Sequence, residues 1–454
     1  MAGLLLAVHL AAINLYPIGW FGDDLLYVEF AATHAEATPA QVLTYQDQAL
    51  RRYRPLSKLL VLASYRASGL GTRWTHLASS ASLALTVVAA VALGRRLRLP
   101  WSAVGLGLAW FLVHQGTILV LYRNARIEQH FTLWGLVGLG CVEACGAARG
   151  RRAAVAAATG AVLALSAALL WSEAAVAWLG VAALWALSRL ERRRAFGLVA
   201  LMLAMLAGYL AWSALLGAPL QDQGRYAVGL GRSTLVNLAT AAAGWIEPVC
   251  TVRVLEWMRD AGGHAAALAA SAAAALAVAG LLACALVHAR RRQREAFRTT
   301  ALLFGSALLC LFPAVLTQHV SEAYLYPSIL FFCLGAGTVV EAFPRRSVTA
   351  AVLALVFCGH AEAAIHKVRL LHANGRRFER LVRELEAKTD PAPGRSIALV
   401  DQTPDPHAIS QFVLPMPLLY LTGPQRGYTV VWRRPGSSGA WGVAPDGSLG
   451  ASAP

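Results

Sequence analysis

Long apolar runs recur along the whole chain, and short polar segments separate them. Several of these runs approach the roughly 20 residues that an α-helix needs to cross the hydrocarbon core of a bilayer. We therefore predict an all-α polytopic membrane protein with about 11 transmembrane helices. The predicted spans are 3–20, 75–94, 101–121, 130–148, 153–171, 174–188, 196–216, 264–288, 299–317, 325–343 and 348–366.

The composition agrees with this pattern, and the distribution of charge indicates how the chain is oriented in the membrane. Hydrophobic residues make up 57% of the chain, charged residues make up 14%, and the formal net charge is +16 at pH 7. Such basicity also suits nucleic-acid binding, so the positions of the arginines must decide between the two interpretations. The arginines form short clusters between the apolar runs, at 95–98, 149–152, 189–194, 290–298 and 345–346. Because basic residues accumulate in cytoplasmic loops, the clusters indicate topology, and no nucleic-acid partner is expected.

With these clusters in the cytoplasm, the N-terminus is predicted inside and the C-terminus outside. Two further apolar segments cannot be spans in this arrangement, because crossing would move arginine clusters to the outer face. We predict that 55–69 is an interfacial helix in the first outer loop and that 233–258 is a re-entrant or surface segment. The first apolar segment lacks a basic start and a small-residue cleavage site, so we expect an uncleaved first helix.

The character of the sequence changes after residue 366. A charged helical stretch at 369–388 precedes a β-like run at 396–400, which predicts a small extracytoplasmic α/β region over 367–435. The tail 436–454 is rich in Gly, Ser, Ala and Pro, and we predict that it is disordered. The expected organisation is thus a membrane domain over 1–366, the small outer region and this tail.

The outer loops of the predicted topology collect a mixed set of acidic, basic and aromatic residues. The most informative are Asp23 and Asp24, which directly follow the first apolar segment, because ionisable residues at a membrane are functional-site candidates. Arginine forks bind phosphate, whereas carboxylates move protons or hold a metal ion. The set therefore suits a reaction between a lipid-linked phosphate and a hydroxyl acceptor. The candidate residues are Asp23, Asp24, Tyr27, Arg54, Lys58, Arg123, Arg126, Glu173, His319, Glu322, Tyr324 and Tyr326.

Four short landmarks occur in order along the chain. An acidic pair follows the first helix in Gly22-Asp23-Asp24-Leu25-Leu26-Tyr27, and Arg54-Pro55-Leu56 opens a helix that ends at Gly69-Leu70-Gly71. Ser172-Glu173 and Ala323-Tyr324-Leu325-Tyr326-Pro327-Ser328 follow. In this order the chain resembles the GT-C superfamily, polytopic glycosyltransferases that take sugars from polyprenyl or dolichyl phosphate carriers.

The later two landmarks look like one group within that superfamily, the protein O-mannosyltransferases with tetratricopeptide tails. Its Arg-Tyr-Leu-Tyr-Leu-Pro-Ser stretch corresponds to 323–328, and its Lys-Glu pair corresponds to 172–173. Ala323 replaces the group's arginine, Ser172 replaces its lysine, and no 34-residue repeats follow the membrane part. The resemblance therefore leaves the sugar open, and the acceptor can be a glycan, a lipid or a protein.

The resemblance implies inverting transfer of a sugar from a polyprenyl-phosphate donor to a hydroxyl acceptor on the extracytoplasmic face. In such enzymes the first-loop acid deprotonates the acceptor or organises a divalent cation, roles that fall on Asp24 or Asp23, with Mg²⁺ or Mn²⁺ as the metal. Arg54, Arg123 and Arg126 are candidates for stabilising the leaving phosphate. The Ala and Arg richness is typical of a GC-rich bacterial genome, so we expect a bacterial inner-membrane protein with an undecaprenyl-like carrier.

A secondary transporter or lipid flippase is the alternative. Transporter sites lie near the bilayer midplane, on broken helices that internal repeats often relate to one another. Here most ionisable residues lie at loop edges, and no clear repeat is found. The exceptions in or near the predicted spans are His114, Glu143, Glu341, His360 and Glu362.

Overall fold

The computed structural model describes most of the membrane part of the chain and pieces of the C-terminal region. The described residues are 1–15, 24–45, 53–69, 71–122, 127–216, 294–316, 322–341, 346–389, 396–402, 429–433, 441–444, 446 and 448–451, with single residues and pairs between 231 and 287. The predicted re-entrant or surface segment 233–258 lies largely outside these ranges.

Helices dominate the described residues. They are α1 Ala2–Leu15, α2 Asp24–Thr33, α3 Pro39–Thr44, α4 Pro55–Ser68, α5 Arg73–Arg96, α6 Trp101–Val113, α7 Gln115–Tyr122, α8 Ile127–Ala147, α9 Arg151–Trp171, α10 Val176–Arg189, α11 Arg192–Leu215, α12 Arg294–Val315, α13 Tyr326–Glu341 and α14 Arg346–Thr389. Two short 3₁₀ turns, Glu173–Ala175 and Glu322–Leu325, precede α10 and α13.

Within the described residues, four helices are long and apolar enough to cross a membrane, and α6 with α7 makes a fifth if the bent pair is one span. The four are α5, α9, α11 and, from Glu295, α12. They coincide with the predicted spans 75–94, 153–171, 196–216 and 299–317. The predicted number of about 11 is not confirmed. One reason is that α10 has only 14 residues, and another is that 264–288 lies largely outside the described ranges.

Two predicted spans differ in form from the structure. The span 101–121 is broken, because α6 and α7 meet at an angle of 59° with His114 in an extended conformation between them. The span 348–366 and the charged stretch 369–388 are one helix, α14, of 44 residues. No proline interrupts this sequence, so its apolar and charged halves share one helical backbone. The predicted domain boundary at residue 366 therefore falls inside a helix.

The core of the membrane part lies where α13 packs against α6 and α12. Small residues allow the close approach, since a Cβ atom on Gly107 of α6 would lie only 2.7 Å from the Cys333 carbonyl oxygen of α13. Large side chains fill the remaining space, and Trp110, Trp178 and Phe331 are fully buried. This packing places the start of α13, and the 3₁₀ turn before it, beside the loops that join the other helices.

The predicted interfacial segment 55–69 is helix α4. Pro55 occupies its first turn, where the missing N–H costs no hydrogen bond. Gly69 ends it with φ +58°, a conformation that glycine adopts without strain. The face turned toward the protein includes Ser57, Lys58 and Leu62. Helix α2 packs on α4, so these two helices between α1 and α5 form one unit.

The C-terminal region contains a four-stranded sheet in the order β2-β1-β3-β4. Its strands are β1 Ser396–Asp401, β2 Thr429–Arg433, β3 Trp441–Val443 and β4 Leu449–Ala451. β1 is parallel to both neighbours, with Ser396 opposite Thr429 and Leu399 opposite Trp441, and β3 is antiparallel to β4.

Strand β1 coincides with the predicted β-like run 396–400. The predicted disorder of 436–454 is wrong for β3 and β4, because the ladder with β1 satisfies their backbone groups and they bury Val443 and Leu449. The end of α14 is attached to this sheet, since the Lys388 ammonium donates to the Leu449 carbonyl oxygen at 2.6 Å.

Candidate active site

Arg54 lies directly before α4 and, like Lys58, is a buried charged residue in the segment between α1 and α5. Pro55 fixes where the helix starts, and the Arg54 side chain makes no capping bond to that helix. The guanidinium is therefore available to other segments. Only 8% of the residue is exposed, so its partners must compensate the charge.

The guanidinium of Arg54 joins three segments that are far apart in sequence. Its Nε atom donates to Glu173 Oε2 at 2.7 Å, and its Nη2 atom donates to Glu173 Oε1, so the two side chains form a bidentate ion pair. Its Nη1 atom donates to the Tyr27 hydroxyl oxygen at 3.1 Å. Bidentate pairing sets the orientation of the guanidinium as well as contributing energy.

Glu173 reaches Arg54 because the connection between α9 and α10 is very short. The Ser172 hydroxyl accepts a hydrogen bond from the Ala174 N–H at 3.2 Å, which caps the 3₁₀ turn that carries Glu173. Ser172 is buried. Ser172, which stands where the O-mannosyltransferase group has the lysine of its Lys-Glu pair, thus caps this turn.

Tyr324 belongs to the same neighbourhood. Burial works against the charge of Arg54, but the Glu173 carboxylate, with smaller contributions from Tyr27 and Tyr324, holds the guanidinium pKa well above its ordinary value. Four residues predicted from the sequence thus lie together, and we call Tyr27, Arg54, Glu173 and Tyr324 the Arg54 cluster. The guanidinium stays charged at every physiological pH.

Two tyrosines that the sequence reasoning did not select lie beside this cluster. Tyr209 of α11 interacts electrostatically with Glu173 and Arg54, and its ring centroid lies 6.4 Å from that of Tyr53. The Tyr53 hydroxyl donates to the Leu43 carbonyl oxygen at 2.9 Å. Tyr209 lies in the middle of an apolar run, so no local pattern distinguishes it, whereas Tyr53 is adjacent to Arg54 in the landmark itself.

Two other predicted residues have different neighbours. The Lys58 ammonium, 3% exposed, lies over the rings of Tyr45 and Phe30, at 4.4 and 5.1 Å from their centroids. This is cation–π geometry within the first outer loop. Tyr326 is fully buried at the start of α13, and its ring packs edge-on against Phe111 at 5.1 Å. The Lys58 side chain thus faces the rings of Tyr45 and Phe30, while its backbone N–H donates to the Arg54 carbonyl oxygen at 3.3 Å in the first turn of α4.

The remaining predicted residues are only partly visible. Asp23, Arg123, Arg126 and His319 lie outside the described residues. The backbone of Glu322 is described as the first residue of the 3₁₀ turn that contains Tyr324. Asp24 is the first residue of α2 and stands three positions before Tyr27. Positions three apart are neighbours along a helix, so the acidic landmark begins one turn from the Arg54 cluster.

A second buried polar group lies at the break between α6 and α7. Gly116 N–H donates to His114 Nδ1 at 3.1 Å, so His114 Nε2 carries the proton that it donates to the Gly244 carbonyl oxygen at 2.9 Å. The ring of His360 lies 4.3 Å from that of His114. The Lys367 ammonium donates to Gln115 Oε1 at 3.4 Å. We call His114, Gln115, His360 and Lys367 the His114 cluster, and all four are at most 3% exposed.

No protein-family model matches the sequence, and no curated protein matches it. Solved structures do match the fold. ArnT from Cupriavidus metallidurans bound to undecaprenyl phosphate superposes with a TM-score of 0.57 at 16% identity, covering 93% of this chain and 84% of ArnT. The apo form of ArnT gives a TM-score of 0.55 at 15% identity, covering 95% and 85%. The Archaeoglobus fulgidus oligosaccharyltransferase complex with Zn and sulfate gives 0.50 at 12% identity, covering 88% of this chain and 60% of that one.

This chain shares its fold with ArnT and with the archaeal oligosaccharyltransferase. The superposition with ArnT covers nearly all of the chain, so the helices that carry the Arg54 cluster belong to the shared architecture. The apolar helices and the fold together make this an integral membrane protein.

A divalent cation such as Mg²⁺ or Mn²⁺ needs several oxygen or nitrogen ligands. In the part of the chain that the structure describes, no three His, Cys, Asp or Glu side chains come together in a group able to hold a metal ion. Asp23, one of the two predicted ligands, lies outside that part. The described residues alone therefore supply no complete donor set for Mg²⁺ or Mn²⁺.

Proposed function

We propose that this protein transfers a sugar from a polyprenyl-phosphate donor to a hydroxyl acceptor, with inversion, on the extracytoplasmic face of a bacterial inner membrane. The observation that carries the proposal is the Arg54 cluster. It joins the acidic first-loop landmark, the Arg-Pro-Leu helix and Glu173 at one place in a GT-C fold. The match to ArnT bound to undecaprenyl phosphate supports a polyprenyl-phosphate donor.

In the proposed reaction, the acceptor hydroxyl oxygen attacks the anomeric carbon of the donor sugar. A new glycosidic bond forms while the bond from that carbon to the phosphate oxygen breaks, and the lipid phosphate leaves with the bonding electrons. The hydroxyl proton passes to a first-loop carboxylate, for which Asp24 is our first choice and Asp23 our second. A single displacement inverts the anomeric centre without a glycosyl-enzyme intermediate.

The leaving phosphate carries the negative charge that the protein must stabilise. Arg123 and Arg126 are the proposed phosphate ligands among the outer arginines, because the guanidinium of Arg54 is already bound by Glu173 and Tyr27. His319, Glu322, Tyr324 and Tyr326 are proposed contacts to the sugar or phosphate, and Lys58 is proposed to border the donor site. The N-terminus is proposed to lie in the cytoplasm and the C-terminal sheet in the periplasm, where a glycan, lipid or protein acceptor is reached.

The test is sugar transfer from a panel of radiolabelled polyprenyl-phosphate sugars by the purified protein in lipid nanodiscs. We expect Asp24→Asn to lower turnover by about 100-fold or more, which is the contribution of a positioned general base. Glu191→Gln is the matched control, because its side chain is 81% exposed and pairs only loosely with Arg194 at 4.0 Å. If Asp23→Asn and Asp24→Asn both keep full turnover, or if no donor is consumed, the proposal is wrong.

One observation favours the alternative, a transporter or flippase. The break between α6 and α7 carries the His114 cluster, and discontinuous helices with buried polar residues are typical of transporter sites. Under this alternative, His114→Ala abolishes movement of a labelled polyprenyl-phosphate lipid across proteoliposome membranes while Asp24→Asn leaves it intact. Lipid movement in the absence of any sugar transfer would support it.

A further inference from the structure

The Arg54 cluster holds the position of helix α2 as well as that of Arg54. Glu173 occupies the edge of the guanidinium formed by Nε and Nη2, and Tyr27 of α2 accepts from Nη1. The guanidinium is planar and rigid, so fixing one edge also fixes the direction of the others. Glu173 therefore determines where Arg54 presents its bond to Tyr27.

We propose that Glu173 and Tyr27 are positioning residues. Glu173 orients Arg54, Arg54 holds the Tyr27 hydroxyl, and this bond sets the place of the first turn of α2, where Asp24 lies. The inference rests on the proposed function, because it takes Asp24 as the base. It assigns Glu173 a role through Arg54, instead of the direct substrate contact expected from the sequence.

Helix α2 depends on such attachments because it is short. It has 10 residues, and isolated helices of fewer than about 12 to 15 residues are marginal in water. In the described part of the chain its main packing partner is α4. Two side chains attach its two ends to that neighbour. Phe30 contacts Lys58 near the C-terminal end, and Tyr27 bonds to Arg54 near the N-terminal end.

In the described part of the chain, the bond from Arg54 to Tyr27 attaches α2 about one turn from Asp24. Tyr27 is 9% exposed and Arg54 is 8% exposed, so water is largely excluded as a substitute partner. Loss of this bond removes a side-chain attachment of the first turn of α2, which can then move, while the buried Val28, Phe30 and Ala31 hold the rest of the helix. Catalytic groups must be held within a fraction of an ångström, and a misplacement of about 1 Å can cost roughly 100-fold in rate.

Direct binding of the donor phosphate by Arg54 makes a different prediction. In that case removing the Glu173 charge leaves Arg54 more attractive to an anion, so Glu173→Gln should lower KM for the donor. Positioning predicts instead that kcat falls while KM for the donor changes less than about twofold, because the lost interaction acts on the chemical step. Tyr27→Phe also distinguishes positioning from direct phosphate binding, because it removes only the Tyr27 hydroxyl and leaves the charges of Arg54 and Glu173 in place.

The test uses Tyr27→Phe and Glu173→Gln in the full-length protein in nanodiscs. Glu143→Gln is the matched control, since Glu143 pairs with Arg189 at 3.1 Å between α8 and α10, far from α2 in the chain. We expect kcat to fall roughly 10- to 100-fold in the two test variants and less than about twofold in the control. We also expect faster hydrogen exchange of the backbone amides of 24–33 in the test variants alone.

Hydrogen exchange keeps the inference separable from the proposed function, because it requires no turnover. Unchanged exchange of 24–33 in both Tyr27→Phe and Glu173→Gln overturns the positioning role, whatever the activity. Faster exchange supports it even if no sugar donor is consumed, in which case the transferase proposal alone is wrong. A lowered donor KM in Glu173→Gln also overturns it, in favour of direct phosphate binding.

Discussion

The Arg54 cluster and the His114 cluster both bury polar side chains in the membrane part of the chain, but they do so in opposite ways. The Arg54 cluster pairs full charges carried by loops and helix ends, and its bidentate geometry fixes direction. At the centre of the His114 cluster is an uncharged imidazole whose two nitrogens are both bonded to backbone groups. It ties the broken helix α6–α7 to α14 and to Gly244.

The difference teaches that burial of polar groups does not by itself identify a reaction site. An imidazole with both nitrogens satisfied by backbone is well suited to stabilising a helix break. An arginine whose fork is held by a carboxylate, next to an acidic landmark, has geometry directed toward chemistry. We therefore propose that the Arg54 cluster serves the reaction and that His114 has a structural role, and the following variants distinguish these roles.

The largest expected effect is that of Arg54→Met. The variant leaves the Glu173 carboxylate without its partner, and we expect a loss of about 2 to 4 kcal/mol in the free energy of unfolding. This expected loss is smaller than for a fully buried ion pair, because the Glu173 side chain is 28% exposed. Reversible unfolding in mixed micelles measures it. The double variant Arg54→Met with Glu173→Met should be more stable than the single one, and an equal or lower stability would contradict the buried-pair interpretation.

A smaller effect is expected for His114→Phe. The variant removes the imidazole that bonds to the Gly116 N–H and the Gly244 carbonyl oxygen, and we expect the free energy of unfolding to fall by about 1 to 3 kcal/mol. Sugar transfer should fall less than in Glu173→Gln when both are measured at the same fraction of folded protein. A greater loss of turnover in His114→Phe than in Glu173→Gln would reverse the assignment of the two clusters.

The smallest effect concerns pH. Burial raises the pKa of the Tyr53 hydroxyl above its ordinary value of 10.0, so the folded state keeps a proton that the unfolded state loses. The contribution of Tyr53 to the free energy of unfolding is therefore fully present below pH 10 and is lost as the pH rises further. The raised pKa of Arg54 has the same sign, and its contribution is lost only at still higher pH. Between about pH 7 and 9 we expect Arg54 and Tyr53 to leave the midpoint of unfolding unchanged. Above about pH 10 we expect the midpoint to fall, and Tyr53→Phe should reduce that fall.

Part of this site was predictable because its signals are local. Pro55 after Arg54 indicates a helix start, and α4 begins there. Asp24 after an apolar run indicates a loop edge at the membrane, and α2 begins there. Tyr27, Arg54, Glu173 and Tyr324 were all selected as outer-loop residues, although the pairing among them was not.

The rest was not predictable because it depends on packing between distant segments. Arg54 and Glu173 are 119 positions apart, and no local pattern states that one holds the other. Lys58 was selected as a site residue, and the packing of α3 on α4 that brings Tyr45 beneath its ammonium was not visible in the sequence. The span 101–121 reads as one straight helix, yet side-chain bonds of His114 stabilise a bend there. Strands β3 and β4 were missed because three-residue strands gain their stability from β1.

The sequence by itself determined that the chain is a membrane protein, because the length and apolarity of its runs leave helices in a bilayer as the stable arrangement. It also supplied the acidic and Arg-Pro-Leu landmarks that resemble the GT-C superfamily. Only the tertiary structure decided which charged groups meet. A buried charge takes its partner from whichever segment packing brings within about 3 Å, and that distance is a property of the fold.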